Sequence, residues 1–238
     1  MDVALVTKRL VLLPGLDGTG QLFASFLAAL PNTFAGTTVA YPTNEFLSYA
    51  DLLPFVRLAV PEDEPFVLLA ESFSAPIAVE YAASNPRNLA GLVIVAGFVH
   101  QPIGGWSLAA KVIANAWFFK LGVPRWVLEQ VLIGRDAPAA LVEKFHQALW
   151  SVSPAVLSGR VHEAVNCDVR LQLARIRTPL KYVQAAHDHL LSNSCVTEIK
   201  RIRPDISLAL VDGPHLLLQR EPQNVADVVS AFVRELGS

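Results

Sequence analysis

Short apolar runs and helical repeats alternate along the chain. Leu10 to Leu13 is an apolar run that ends in Pro-Gly, and residues 21–30 repeat apolar side chains at the three-to-four-residue spacing of a helix. The alternation continues, with strands predicted at 37–40, 66–70, 92–96, 180–184 and 206–211 and helices at 49–59, 75–83, 193–201 and 222–236. Because these strands lack polar alternation, they predict an α/β fold with a doubly wound, mostly parallel sheet covered by helices on both faces.

The alternation breaks between residues 98 and 170. No strand-like run occurs there, and breaks at 122–124, at Gly134 and at 153–154 divide the segment into helices. We therefore predict one domain over residues 1–238 that carries an inserted helical lid at 98–170. All four tryptophans lie in this lid and are expected to form its own core. Alternatively, some of its aromatic side chains line an apolar substrate pocket, and the candidates are Trp106, Trp117, Phe118 and Trp126.

Composition narrows the choice of partners. The chain has 238 residues, of which 53% are hydrophobic and 17% are charged, so it can bury one sizeable core. A formal charge of -2 without a Lys/Arg cluster argues against nucleic acid as a partner. The longest apolar stretch, residues 89–99, is much shorter than the roughly 20 residues of a membrane-spanning helix, and the first residues do not resemble a secretory signal. We expect a cytoplasmic protein with Cys167 and Cys195 as free thiols, and assembly into a homo-oligomer is left open.

Ser72 stands at the junction of a predicted strand and a predicted helix. The strand at 66–70 is followed directly by Glu71 and Ser72, and the helix begins at residue 75. A nucleophile elbow needs such a junction, because its tight turn leaves room only for small residues two positions before and after the serine. Here these residues are Ala70 and Ser74. A serine that only caps the helix is the alternative explanation.

A serine hydroxyl becomes a useful nucleophile when an imidazole takes its proton and a carboxylate orients that imidazole. Of the six histidines, His215 follows a predicted strand and precedes the last helix, where it can overhang the carboxyl edge of the sheet. Asp188 follows the strand at 180–184, which gives the chain order Ser, Asp, His. Asp212 is the alternative acid, although its Asp-Gly pair favours a turn, and Glu71 is a weaker candidate.

Acyl transfer also needs backbone N–H groups aimed at the oxyanion of a tetrahedral intermediate. Two donors are predicted: the N–H of Phe73, directly after the serine, and an N–H of the glycine-rich loop 14–20, with Leu16 as the first candidate and Asp17 as the alternative. The loop could instead hold a phosphate, but its glycine spacing fits neither the dinucleotide fingerprint nor the P-loop.

Together these segments resemble the α/β-hydrolase fold superfamily, in particular its small bacterial serine esterases with a helical lid. Residues 11–18 are similar to the family's strand and oxyanion loop, with Pro14 where many members have histidine, and 70–74 are similar to its elbow with both glycines replaced. Residues 185–192 resemble its acid loop, and 213–215 resemble its Gly-x-His. The resemblance implies hydrolysis through an acyl-enzyme, with no metal and no organic cofactor.

Four hypotheses follow for the function. The first is an esterase that cleaves a small or medium acyl ester, and the second is a thioesterase or acyltransferase, which shares the acyl-enzyme. The third is a ligand-binding protein that has the fold without turnover. The fourth is a plain α/β domain in which Ser72, Asp188 and His215 are only structural. A metal site is not expected, because His187 and His189 flank Asp188 without a further ligand set.

Overall fold

The computed structural model describes residues 8–101 and 128–237. The strands of this part of the chain are β1 (Lys8–Leu13), β2 (Phe34–Thr38), β3 (Phe66–Glu71), β4 (Leu89–Val95), β5 (Leu180–Ala185) and β6 (Ser207–Val211). They form a sheet in the order β2-β1-β3-β4-β5-β6, and every neighbouring pair is parallel. The prediction of a doubly wound parallel sheet is confirmed.

Helices connect the strands and cover the sheet. Those described are α1 (Ala24–Ala29), α2 (Tyr49–Ala59), α3 (Ala75–Ala83), a π-helical segment (Leu128–Ile133), α4 (Ala139–Trp150), α5 (Pro154–Asn166), α6 (Arg170–Arg175), α7 (Ser194–Ile202), α8 (Leu217–Arg220) and α9 (Pro222–Glu235). A capping box starts α2, because the Ser48 hydroxyl accepts from the Asp51 N–H and the Asp51 carboxylate accepts from the Ser48 N–H. The bounds of α2 and α3 are those that the sequence predicts.

Side chains of the central strand alternate between two apolar cores. On β3, Leu68 and Ala70 face a core completed by α2, α3, α6 and α7. Val67 and Leu69 face a second core on the other side of the sheet, completed by α1, α8 and α9. Because both faces are covered, every position of the strand is buried, and this explains its unbroken apolar run.

The edge strand β2 lies earlier in the chain than predicted. It occupies Phe34–Thr38 rather than 37–40, and its pairing with β1 ends at Leu12 and Thr38. The ladder stops there because β1 soon reaches Pro14, which has no N–H to donate. Val39 is buried just beyond the end of the strand, where its N–H still donates to Leu12 O at 2.9 Å, so the predicted range 37–40 overlaps the strand only at Thr37 and Thr38.

The segment inserted between β4 and β5 packs against two loops of the sheet. Its helices α4 and α5 share a third apolar cluster with Leu216, and Leu16 packs against the same cluster. Trp150 lies outside this core, because its side chain is 64% exposed and meets the ring of His146 edge-on. The expectation of a tryptophan core is therefore wrong for this residue. The pocket candidates Trp106, Trp117, Phe118 and Trp126 lie outside the described residues.

None of the helices in the described ranges is both long and apolar enough to span a membrane.

Leu69→Ala tests the central position of β3. Leu69 is fully buried between β1 and β4, so removing its side-chain methyl groups leaves a cavity and should lower the free energy of unfolding by about 2–5 kcal/mol. Leu210→Ala on the edge strand β6 is the control, because Leu210 is 66% exposed and its change should stay within about 0.5 kcal/mol. Urea denaturation measures both, and equal losses would contradict the packing described for β3.

Candidate active site

Loops after β1 and β3 meet at the carboxyl edge of the sheet. The two strands are neighbours, but the chain leaves β1 toward α1 on one face and leaves β3 toward α3 on the other. Such a divergence opens a crevice, and this is where ligands bind in open parallel sheets. The candidate site therefore lies between loop 14–20 and residues 72–73.

Ser72 occupies a sharp bend at this crevice. Its φ is +46°, in the left-handed region that residues with a Cβ seldom adopt. The bend is fixed from both sides, because β3 is buried up to Glu71 and α3 begins at Ala75. Ala70 and Ser74, the small flanking residues, are fully buried, so larger side chains would not fit. This backbone geometry is the one that a nucleophile elbow requires.

His215 and Asp188 form a hydrogen-bonded series with Ser72. The Ser72 hydroxyl lies 2.9 Å from Nε2 of His215, and Nδ1 of His215 lies 2.8 Å from Oδ2 of Asp188. Because a carboxylate only accepts, Nδ1 carries a proton, and in the neutral ring Nε2 is left to accept from the hydroxyl. Two backbone N–H groups, those of Leu190 and Leu191, donate to Oδ1 of Asp188 at 2.8 Å each and hold the carboxylate in place.

Burial and the ion pair have opposite effects on His215 and Asp188. Burial favours the neutral forms, which lowers the pKa of the imidazole and raises the pKa of the carboxyl. The attraction and hydrogen bond between the two groups outweigh burial. As a result, the pKa of His215 lies above its ordinary value of 6.5 and the pKa of Asp188 lies below 3.8. The pair therefore stabilises an imidazolium in a place with almost no access to water.

Other candidate groups lie away from this series. Asp212, the alternative acid, accepts from Nε2 of His187 at 2.8 Å on the surface. Cys167 and Cys195 are buried free thiols, and burial raises their pKa to about 12 and about 11, so neither is an available thiolate at neutral pH. Within the described ranges, no three His, Cys, Asp or Glu side chains are grouped so that they could hold a metal ion.

Every carbonyl oxygen of residues 14–18 accepts a hydrogen bond from the protein. The acceptor and donor pairs are Pro14 O and Ser74 Oγ, Gly15 O and Gly18 N (3.0 Å), Leu16 O and Arg160 Nη1 (3.0 Å), Asp17 O and Arg160 Nη1 (2.7 Å), and Gly18 O and Tyr41 N (2.8 Å). The N–H of Leu16 has no acceptor among the described residues. The N–H of Phe73, the other predicted donor, follows Ser72 in the short turn that leads into α3.

Glu71 places a buried carboxyl directly before the serine. Its side chain is 2% exposed, Oε2 accepts from the Gln219 amide at 3.4 Å, and the carboxyl also accepts from the N–H of Gly15. Oε1 has no hydrogen-bond partner in the described part of the chain. Burial raises the pKa of Glu71 to about 7, although the hydrogen bond from Gln219 lowers it. Glu71 therefore ties the end of β3 to loop 14–20 and to α8.

Two polar side chains near the site carry little sequence signal. Glu71 ranks as a weak acid candidate in sequence, because its burial against Gln219 depends on α8 folding over the elbow. For Arg160, the sequence does contain one indication of burial. Residues 156, 157, 161 and 164 form the apolar face of α5, and Arg160 falls on that same face.

Comparisons with known proteins agree on the fold. No protein-family model matches the chain, and no curated protein does. Among solved structures, a hydrolase from Oleispira antarctica superposes with a TM-score of 0.83 at 16% identity, covering 95% of this chain and 91% of that one. A carboxylesterase structure from the Thaumarchaeon Nitrososphaera gargenis superposes with a TM-score of 0.80 at 14% identity, covering 98% of this chain and 92% of that one. The bromoperoxidase from Bacillus anthracis superposes with a TM-score of 0.80 at 13% identity, covering 96% of this chain and 92% of that one.

These superpositions and the six-stranded parallel sheet show that the chain has the α/β-hydrolase fold. The resemblance seen in the sequence is confirmed at this level. Proteins with one fold carry out different reactions, so the activity has to be argued from the site itself.

Glu71→Gln tests the buried carboxyl. The unfolded carboxyl has the ordinary pKa of 4.5 and the folded one a pKa of about 7, so the folded state binds more protons between these values. Wild-type stability should therefore fall as the pH rises through this window, by up to about 3 kcal/mol. Glutamine cannot ionise and should avoid this loss. Urea denaturation gives the free energy of unfolding of both proteins. The value for the variant minus that for wild type should be about 2–3 kcal/mol larger at pH 8 than at pH 4.5.

Glu143→Gln is the control for this experiment. It makes the same chemical change on the exposed face of α4 and leaves Glu71 in place, so the fall in stability between pH 4.5 and pH 8 should persist in this variant. A constant difference between Glu71→Gln and wild type would contradict the raised pKa.

Proposed function

We propose that this chain is a serine hydrolase that cleaves carboxylic esters through an acyl-enzyme. Ser72 is the nucleophile, His215 the general base and Asp188 the group that orients the imidazole. The observation that carries the proposal is the continuous hydrogen-bonded series from the Ser72 hydroxyl through both ring nitrogens of His215 to the Asp188 carboxylate, at 2.9 and 2.8 Å. The strained φ of Ser72 supports it, because such bends hold a nucleophile clear of its own helix.

Acylation begins when the Ser72 oxygen attacks the ester carbonyl carbon and Nε2 of His215 takes the hydroxyl proton. The carbonyl π electrons move to the oxygen, which becomes the oxyanion of a tetrahedral intermediate. The N–H groups of Phe73 and Leu16 are proposed to donate to this oxygen. When the intermediate collapses, the bond to the leaving oxygen breaks, and the imidazolium gives its proton to the departing alcohol.

Deacylation repeats the same steps with water. Nε2 of His215, now neutral, takes a proton from water as the water oxygen attacks the acyl carbonyl. Collapse of the second intermediate returns that proton to Ser72 and releases the carboxylic acid. Asp188 remains ionised throughout, since its lowered pKa keeps it a carboxylate and it stabilises each imidazolium that forms.

The inserted segment is proposed to cover the site as a lid over residues 98–170, with the protein forming one domain. Its cluster of apolar side chains reaches Leu16 on the oxyanion side and Leu216 on the histidine side, and the N–H of Leu216 donates to Leu132 O at 3.0 Å. An apolar cover beside the serine favours a small or medium acyl chain in the substrate. Hydrolase and esterase structures among the superposed proteins support the same choice of reaction.

Ser72→Ala tests the nucleophile. Wild type should form a covalent adduct with a fluorophosphonate probe and hydrolyse p-nitrophenyl esters, and the variant should do neither, with a loss of about 10³-fold or more in kcat. Mass spectrometry locates the adduct. Ser84→Ala is the matched control, because the Ser84 hydroxyl donates to Tyr81 O at the far end of α3. Labelling of Ser72→Ala at the wild-type rate would refute the proposal.

Asp188→Asn tests the acid. Since His215 must be neutral to accept a proton, kcat/KM of wild type should rise with pH to a plateau, with a midpoint above 6.5 because the carboxylate raises the pKa of His215. Asparagine should lower both the midpoint and the plateau, the latter by about 10³- to 10⁴-fold. Asp212→Asn, which removes the surface partner of His187, should keep the wild-type profile. The assignment of the acid is wrong if Asp188→Asn keeps the wild-type profile and Asp212→Asn loses the plateau.

A further inference from the structure

Arg160 is among the largest fully buried side chains of the described chain, and it comes from the inserted segment. It is 2% exposed, and its guanidinium donates to three backbone carbonyls: Nη1 to Leu16 (3.0 Å) and Asp17 (2.7 Å), and Nη2 to Pro42 (2.9 Å). Buried arginines are usually paired with a carboxylate, because burying a lone cation is costly. Here the hydrogen bonds described for the guanidinium all go to main-chain carbonyls, two of which belong to loop 14–20, while the buried Asp17 carboxylate also attracts the cation.

Loop 14–20 is shaped around this guanidinium. Gly18 has φ +68°, and a Cβ at this position would collide with Nη1 of Arg160. Glycine therefore serves two purposes here, since it permits the left-handed turn and leaves room for the cation. The ring of Tyr41 closes another side, with its centroid 5.8 Å from the guanidinium carbon.

Helix α5 is anchored on both sides of Arg160. The N–H of Ser153, its N-cap, donates to Thr43 O at 2.8 Å, and the Glu163 carboxylate accepts from the N–H of Tyr49 at 2.9 Å. The first contact joins the helix to the loop between β2 and α2, and the second joins it to the first residue of α2. The position of the guanidinium is therefore set by the docking of the inserted segment rather than by loop 14–20 itself.

We propose that Arg160 is a positioning residue for oxyanion stabilisation, through which the inserted segment controls the rate of the reaction. Arg160 touches no reacting atom. It holds the carbonyls of Leu16 and Asp17, and this orients the peptide groups on either side of them, including the N–H groups offered to the oxyanion. A charge-assisted bond to Leu16 O also polarises the Leu16–Asp17 peptide, which makes the N–H of Asp17, the alternative to Leu16 in this loop, a stronger donor. The inference rests on the proposed function of Ser72.

The expected effect falls on kcat. Full negative charge develops on the carbonyl oxygen only after attack. A misplaced donor therefore reduces the stabilisation of the transition state more than it reduces the binding of the substrate. Loss of one oxyanion donor costs about 10²- to 10³-fold in kcat, and a displaced donor should cost less. Arg160→Met should therefore lower kcat by about 10- to 100-fold and leave KM within about threefold.

The experiment compares wild type, Ser72→Ala, Arg160→Met and Arg203→Met, each shown by circular dichroism to be folded at the assay temperature. Arg203 is a matched control, because it is also buried and donates to the carbonyls of Ile176 and Thr178, on the segment that enters β5 at the opposite edge of the sheet. Steady-state hydrolysis of p-nitrophenyl butyrate gives kcat and KM across pH 5–9. The second-order rate of fluorophosphonate labelling reports oxyanion stabilisation separately.

Arg160→Met should lose kcat and labelling rate in parallel and keep the wild-type midpoint of kcat/KM against pH, because His215 and Asp188 are untouched. Arg203→Met should keep kcat even if its melting temperature falls. The positioning role is overturned if folded Arg160→Met has the kcat and the labelling rate of wild type. It is also overturned if Arg203→Met loses as much kcat as Arg160→Met. If wild type gives no Ser72-dependent adduct, the proposed function itself fails. Should Arg160→Met not fold, Arg160→Lys is measured in its place, with a smaller loss of kcat expected and an unchanged kcat overturning the proposal.

Discussion

The left-handed bend at Ser72 is the constraint on which the site depends. A non-glycine residue with φ +46° costs about 1–3 kcal/mol, so it persists only where the surrounding structure holds it. Here β3 is buried on both faces before the bend, and α3 packs on the sheet after it. The same sheet presents the loops after β5 and β6, which carry Asp188 and His215, at the same edge. Because parallel strands end together, groups more than 140 residues apart in sequence meet within hydrogen-bonding distance.

Polar side chains in the interior serve the loop beside that bend. The Ser74 hydroxyl donates to Pro14 O and accepts from the Tyr41 hydroxyl, Glu71 accepts from the N–H of Gly15, and Arg160 donates to the carbonyls of Leu16 and Asp17. Buried polar groups are stabilising when their partners are complete, and costly when they are not. The loop is therefore held by several hydrogen bonds, whereas Oε1 of Glu71 and Oε1 of Gln219 have no hydrogen-bond partner among the described residues and mark a place where the interior is less well satisfied.

Secondary structure was predictable where one physical signal dominated. The strand at 66–70 and the helices at 49–59 and 75–83 match the structure closely, because burial on both sheet faces and a clear helical period leave distinct patterns. Strand β2 was displaced, since Val39, the most apolar residue of the predicted range, is buried just beyond the last paired residue, Thr38. Ser72, Asp188 and His215 could be selected because each follows a strand, and strand ends are recognisable in sequence. Arg160 and Glu71 could not be assigned roles, because their partners lie on elements distant in the chain.

The amino-acid sequence by itself determined the alternation of strands and helices, the parallel character of the sheet and the order of serine, acid and histidine along the chain. These are local properties, set by which side chains follow one another. Only the tertiary structure decided which acid meets His215, because Asp188 and Asp212 both follow strands and only the path of the loop after β5 brings a carboxylate to Nδ1. It also decided that loop 14–20 is held by a cation from the inserted segment, since distances between side chains on different elements depend on how those elements pack.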